Sequence, residues 1–185
     1  MGNILQVELR NINSDDVKKV FDWRNQLFIR SKMFNSEELT WERHLEWYNS
    51  LPNNNDRIAK IFSYDRVDYG VLNVNVISEE FGSCEWGFYI GEKQAPKGTG
   101  LLLGYISLEY IFGNLKMRKI CAQVIESNQI SQKFHEKLGF KLDGILRRHI
   151  KRDSHYENIY VYSLFIEEWQ EKSKEIKVEL GGGFK

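Results

Sequence analysis

Reactive side chains in this 185-residue chain are concentrated between Glu85 and Phe140. Lys97-Gly98-Thr99-Gly100 stands between the strand-like run Glu85-Trp86-Gly87-Phe88-Tyr89-Ile90 and a long apolar stretch that begins at Leu101. A glycine-rich turn that opens a helix gathers unpaired backbone N–H groups at the positive end of the helix dipole, which suits a pyrophosphate. The same spacing also serves a turn that only caps a helix. Glu85 alternates with Cys84 and Trp86 along its strand, so half-burial is expected, and burial raises a carboxyl pKa toward a value useful in a general base. An ion pair, a sheet-face carboxylate or an anchor for a substrate ammonium would use the same position.

The elements that must hold these groups follow from periodicity and punctuation. Ile4 to Arg10 alternates as a first strand. Ser14-Asp15-Asp16 starts a helix carrying Val17, Val20, Phe21 and Arg24, and irregular sequence runs from Phe28 to Leu39. Thr40 caps a second helix with Trp41, His44, Leu45 and Tyr48 on one face, ended by Leu51-Pro52-Asn53-Asn54-Asn55-Asp56. Ile58 to Tyr64 and Tyr69 to Ile77 form a hairpin around Asp65-Arg66-Val67-Asp68, and Cys84 to Ile90 adds the next strand. The helix after Gly100 buries Leu101, Tyr105, Leu108 and Phe112. Lys119 to Glu126 reads as an inner strand, and Asn128 to Leu138 as a helix stopped by Gly139 in a left-handed cap. Phe140 to Ile150 and Glu157 to Phe165 make a last hairpin, followed by a short amphipathic helix from Ile166 and a disordered Gly-Gly-Gly-Phe-Lys tail. The pattern is α+β around one mixed, mostly antiparallel sheet.

Composition narrows the partners. With 42% hydrophobic and 14% aromatic residues the chain is globular, and its length suits one domain. Twenty-six basic residues balance 26 acidic ones, so no overall field draws it to nucleic acid or an anionic membrane, and a ligand must be recognised locally. Cys84 and Cys121 fall in strands and read as buried free thiols of a cytoplasmic protein, with a structural thiol pair as the alternative. No metal-ligand spacing, secretory leader or run of transmembrane length is present.

Asn128-x-x-Ser131-x-x-Phe134-His135-Glu136-Lys137-Leu138-Gly139-Phe140, one strand after the Lys97-Gly98-Thr99-Gly100 turn, resembles the second signature of the Gcn5-related N-acetyltransferases (GNAT), and the turn resembles their first. The resemblance runs from the first strand to Phe165 and implies a single GNAT domain over 1–166, with 167–185 as a C-terminal helix and tail. It implies acetyl-coenzyme A, as cosubstrate and without a metal, in a V-shaped gap between the strand ending at Ile90 and the strand from Cys121 to Glu126. Phe88, Ile90, Val124 and Glu126 would make main-chain contacts to pantetheine. Lys97, Gly98, Thr99 and Gly100 would hold the pyrophosphate, and Asn128 would reach the arm with its amide or act as a plain helix cap. Gln94 stands four residues before Gly98 where the family has Arg or Gln three before, so either the turn is one residue longer or Lys97 takes over as the cation.

The resemblance also implies direct acetyl transfer through a tetrahedral intermediate. Where the family commonly has tyrosine as acid for the departing thiolate, this chain has His135, whose ordinary pKa of about 6.5 lets it give a proton near neutrality. Alone on a helix, such a histidine is ordinarily a structural hydrogen-bonder. Glu85 is the expected base or ammonium anchor.

For the acceptor, Trp23-Arg24-Asn25 resembles the branch that includes ribosomal-protein N-terminal acetyltransferases. The fuller pattern, with Arg30-x-x-Met33-Phe34 and His44-x-x-Trp47, resembles the branch that acetylates a UDP-linked 4-amino-4,6-dideoxy sugar in pseudaminic acid biosynthesis. Arg24 and His44 would hold the diphosphate, Arg30 would assist, and Met33, Phe34 and Trp47 would pack on the sugar, with Tyr89 and Gln123 completing the wall. A peptide or polyamine acceptor is the alternative, and a non-catalytic acyl-CoA-binding module the alternative of another class. A homodimer fits the edge strand of the last hairpin.

Overall fold

The computed structural model describes residues 6–152 and 154–181. The first residues of the strand expected from Ile4, Asp153 of the last turn and the tail from residue 182 lie outside them. The chain forms β1 (Val7–Asn11), α1 (Val17–Asn25), α2 (Leu27–Arg30), α3 (Trp41–Ser50), β2 (Arg57–Tyr64), β3 (Val67–Ser78) and β4 (Ser83–Ile90). It continues with α4 (Thr99–Glu109), β5 (Lys119–Ile125), α5 (Gln129–Lys137), β6 (Lys141–Arg152), β7 (His155–Phe165) and α6 (Ile166–Glu179). The strands make one sheet in the order β1-β2-β3-β4-β5-β7-β6, antiparallel except between β4 and β5. The crossover between those two parallel strands is α4, and the whole is the expected α+β fold.

Alternation along the strands splits the core between two faces. On one, Leu72, Val74, Cys84, Trp86, Ile120, Ala122 and Val124 meet Tyr105 and Leu108 of α4 and Trp169 and Ile176 of α6. The last helix is therefore longer than expected and buries two large side chains. α4 is apolar on all sides because the sheet, α5 and α6 surround it, and a π-helical turn, Tyr110–Asn114, extends it. On the other face Val20, Trp23 and Ile29 of α1 and α2 pack on Ile61 and Val71.

Local chemistry explains the boundaries. Asn13, one residue earlier than expected, starts the first helical segment: its side chain accepts from the Asp15 N–H, and Asp16 answers by accepting from the Asn13 N–H at 3.0 Å. Asp16 is 3% exposed. Burial alone would raise its pKa, but the Arg10 guanidinium at 2.6 and 2.7 Å holds it down to about 2. Arg10 also reaches Asp68 at 2.7 Å, tying β1, the start of α1 and β3 together. Asp65 and Arg66 both have positive φ, 50° and 66°, the geometry of a two-residue type I′ hairpin turn. Gly91 closes β4 by donating to the Tyr69 carbonyl at 2.7 Å, and a Cβ there would stand 2.1 Å from the Trp23 ring. Among the described residues no helix is long and apolar enough to cross a membrane.

Candidate active site

The parallel ladder between β4 and β5 has three residue pairs, Ser83 with Lys119, Cys84 with Ile120 and Glu85 with Cys121. Beyond Glu85 the two strands diverge. Each keeps its outer neighbour, β4 on β3 as far as Ile90 opposite Gly70 and β5 on β7 as far as Ile125 opposite Ile159. The facing edges, Trp86 to Ile90 and Ala122 to Ile125, are left without a ladder partner and line a cleft of 540 Å³. A second hollow of 460 Å³ adjoins it through Phe28, Ile90 and Gly100 and runs past Glu92, Lys93, Pro96 and Thr99 at the mouth of α4.

The two hollows fit the donor the resemblance implies. Buried unpaired peptide groups cost about 1 to 3 kcal/mol each, and an amide-bearing arm laid between the strands would satisfy them as a substitute strand. At the mouth of α4 no side chain caps the helix, and Gly98 is left-handed at φ 95°, a conformation that L side chains rarely take. Phe88, Ile90, Gly100, Val124 and Asn128 line the main cleft as expected. Asn128 is the cap of α5, its Oδ1 accepting from the Ser131 N–H at 3.4 Å, and it also lines the cleft.

Four of the expected donor residues are engaged or placed otherwise. Thr99 is turned inward, its hydroxyl and N–H both donating to the Pro96 carbonyl at 2.6 and 3.1 Å, so its side chain is not free for a phosphate. Lys97 and Gly98 are exposed outside both hollows, whereas Lys93 lines the smaller one with its ammonium 6.0 Å over the Phe28 ring. Glu126 is engaged by β7: its carboxylate accepts from the Asn158 N–H and Nδ2 at 3.2 and 3.1 Å, and its own N–H donates to the Asn158 carbonyl at 3.0 Å.

Glu85 sits at the fork itself, and burial pushes its carboxyl pKa up. On its face of the sheet lie Tyr89, Asn75, which is its register partner on β3, and Asn73, which is opposite Gly87. Gln123 of β5 faces them across the gap, and Phe28, Lys32, Met33 and Phe34 close the acceptor side.

His135 lines the cleft from α5 and is 5% exposed. Its Nδ1–H donates to the Ser131 carbonyl at 2.7 Å, which leaves the lone pair on Nε2. Packed edge-on against Trp86 and Phe140 and stacked with Tyr162, the ring is desolvated, and its pKa falls to about 4. At neutral pH it is an uncharged acceptor at Nε2, not the ready acid expected, because its one proton is held by Ser131.

The acceptor-side expectations divide. Met33, Phe34, Tyr89, Gln123 and Glu85 line the cleft; Arg24, Arg30, His44 and Trp47 do not. His44 is 2% exposed, donates from Nε2 to the Val17 carbonyl at 2.8 Å and stacks on Trp47 with ring centroids 5.1 Å apart. It is the polar link between α1 and α3, its pKa lowered by burial, and cannot reach a diphosphate. Arg24 donates to the Asn35 carbonyl at 3.2 Å and Arg30 to the Ser36 carbonyl at 3.0 Å, so both brace the loop behind Phe34. Among the described residues Arg24 Nη1 is buried without a partner, and burial lowers the pKa of its guanidinium. Sequence reasoning missed Asn73, Asn75, Lys32 and Ser131. The signal for the first two was present: amides alternating with Leu72, Val74 and Val76 mark the polar face of β3.

Known proteins resemble this chain in sequence and in fold. Residues 6–141 match the acetyltransferase (GNAT) domain family. Acetyltransferase PseH of Campylobacter jejuni subsp. jejuni serotype O:23/36 is 28% identical over 140 residues, 74% of this chain and 85% of that protein. An uncharacterized N-acetyltransferase p20 of Bacillus licheniformis is 29% identical over 100 residues, 54% of this chain and 56% of that protein. Spermidine N-acetyltransferase from Vibrio cholerae, solved with CoA and spermine, superposes with a TM-score of 0.82 over 89% of this chain and 98% of its own; at 20% identity this shows the fold alone. The split sheet, the uncapped α4 and the family match agree, and the chain belongs to the GNAT acetyltransferases as an N-acetyltransferase that draws on acetyl-coenzyme A.

Proposed function

We propose that the chain acetylates the 4-amino group of a UDP-linked 4-amino-4,6-dideoxy sugar. The observation that carries this reading is the lining of the acceptor side: Asn73, Asn75 and Gln123 present amides, Phe28, Met33 and Phe34 present apolar surface, and Glu85 is the single carboxylate among the described lining residues. Amides pair with hydroxyl and acetamido groups, and apolar side chains take a 6-deoxy methyl and a sugar face. A polyamine would need several carboxylates to replace its hydration, and one is offered. Lys32 at the rim is the cation available to a diphosphate in place of Arg24 and His44. The likeness to the PseH acetyltransferases supports the same choice.

In this reading Glu85 receives the proton that the attacking amine gives up, and its raised pKa makes it a better base than an exposed carboxylate. Unpaired main-chain N–H groups of the Trp86 to Ile90 edge stabilise the oxyanion. His135 accepts a hydrogen bond at Nε2 and orders the gap around the sulfur, while the departing thiolate takes its proton from solvent. The exposed edge strand β6, with Leu142, Ile145 and Leu146 on its surface, supports a homodimer, which sedimentation at micromolar concentration tests.

The acceptor test is thiol release from acetyl-CoA with a UDP-4-amino-4,6-dideoxy sugar, with spermidine and with an amino-terminal peptide, each product identified by mass. Preference for the nucleotide sugar by tenfold or more, about 1.4 kcal/mol, is expected, and Lys32→Ala raises its KM alone. Equal or better turnover of spermidine overturns the assignment.

A further inference from the structure

Past Leu146 the β6–β7 hairpin leaves its regular ladder: the next pair joins Ile150 to Glu157, so three residues of β6 stand against Asn158 alone. Arg148 occupies this bulge at φ 50°, and its N–H donates to Asn158 Oδ1 at 2.8 Å. Beyond the bulge Arg152 donates through Nη2 to the carbonyl of Met33, 119 residues away in sequence and in the acceptor wall of the cleft. The same guanidinium lies 4.0 Å from Glu157 Oε1, with side chains 12% and 9% exposed. The other oxygen of Glu157 accepts the N–H of Ser127 at 3.0 Å, one residue before the Asn128 that caps α5 and lines the donor gap. His155 Nε2 stands 3.8 Å from Oε1 on the outer side.

One continuous set of polar contacts therefore runs from the acceptor wall through a buried ion pair to the first residues of the donor wall. We propose that Arg152 and Glu157 are positioning residues, a clasp that sets the Met33 to Phe34 segment at a fixed distance from the start of α5 and thereby shapes the acceptor subsite. The inference rests on the cleft being the transfer site and not on which amine enters it. A buried pair cannot lose one member without stranding the other charge, so the clasp fails as a unit. Arginine donates to the Met33 carbonyl while its delocalised charge lies 4.0 Å from the Glu157 carboxylate, a geometry that a lysine ammonium reproduces less well.

The test uses the full chain with Arg152→Ala, Arg152→Lys and Glu157→Gln, assayed with acetyl-CoA and the amine it turns over best, alongside amide hydrogen exchange without acceptor. Arg152→Ala is expected to raise the acceptor KM by about tenfold or more, while kcat and the acetyl-CoA KM stay within about threefold. Arg152→Lys recovers part of the loss. Amides of residues 32–36 and of Ser127 exchange faster in Arg152→Ala and in Glu157→Gln alike. A merely structural role would lower the thermal midpoint and both substrate terms together. Should Arg152→Ala not fold, Glu157→Gln, which keeps the side-chain volume, carries the comparison. An unchanged acceptor KM in a folded variant, or exchange that quickens on one wall only in Glu157→Gln, overturns the clasp. A wrong acceptor assignment shows differently, as no turnover of the nucleotide sugar with the exchange pattern intact.

Discussion

Burial drives Glu85 and His135 toward their neutral forms, which raises one pKa and lowers the other. Glu85→Gln is expected to lower kcat by about 10² to 10⁴ with acetyl-CoA affinity kept, and wild-type kcat/KM to rise with pH through a value above that of an exposed glutamate. A variant that keeps more than a tenth of the activity removes Glu85 from the role of base. For His135 the folded pKa of about 4 lies below the unfolded value of about 6.5, so the unfolded chain binds the proton first as pH falls. The stability this site confers is complete above pH 6.5 and is lost as pH falls through about 4, on the order of 3 kcal/mol in all. Urea midpoints at pH 7 and pH 4.5 check it: wild type shows the drop, and His135→Gln, which cannot titrate, lacks that part of it. That Glu85 and His135 line the cleft was legible because each stands at a marked place in a strand or helix motif, whereas their roles were not. His44 was misread because a helix-face histidine beside tryptophan looks the same in sequence whether its nitrogen meets a ligand or, as here, the Val17 carbonyl.

Strand and helix order followed from alternation and turn chemistry, including the Thr40 and Asn128 caps and the left-handed Gly139 at φ 95°. The one-turn α2 and the π-helical turn after α4 were not legible, since neither has a periodicity long enough to register. Gly91 has the sharpest requirement at this scale, because the Trp23 ring occupies the space a side chain would need. Gly91→Ala is expected to destabilise by about 1 to 3 kcal/mol, read as a lower urea midpoint at constant slope. Unaltered stability would mean that α1 moves freely over the end of β4. The fork between β4 and β5 was foreseen only through family likeness. Nothing in Trp86 to Ile90 or Ala122 to Ile125 says that two apolar strands will part after three residue pairs.

For the molecule as a whole, a balanced charge leaves no long-range field, so the ligand must bind by contact. An acyl-CoA that fills the gap binds the folded chain and not the unfolded one. At a hundred times its Kd, acetyl-CoA contributes about 2.7 kcal/mol, a rise of roughly 5 to 10 °C in Tm for a chain of this size. A scan with and without acetyl-CoA measures this, and no shift at saturating ligand contradicts the gap as the donor site.

Three rungs and a wedge make a short hinge in the middle of a seven-stranded sheet. The leaf from β1 to β4 carries Glu85 and both asparagines, and the leaf from β5 to β6 carries Gln123, so the two halves of the acceptor wall stand on opposite sides of the wedge. Three backbone pairs thus hold the spacing of the donor gap and of the acceptor wall together.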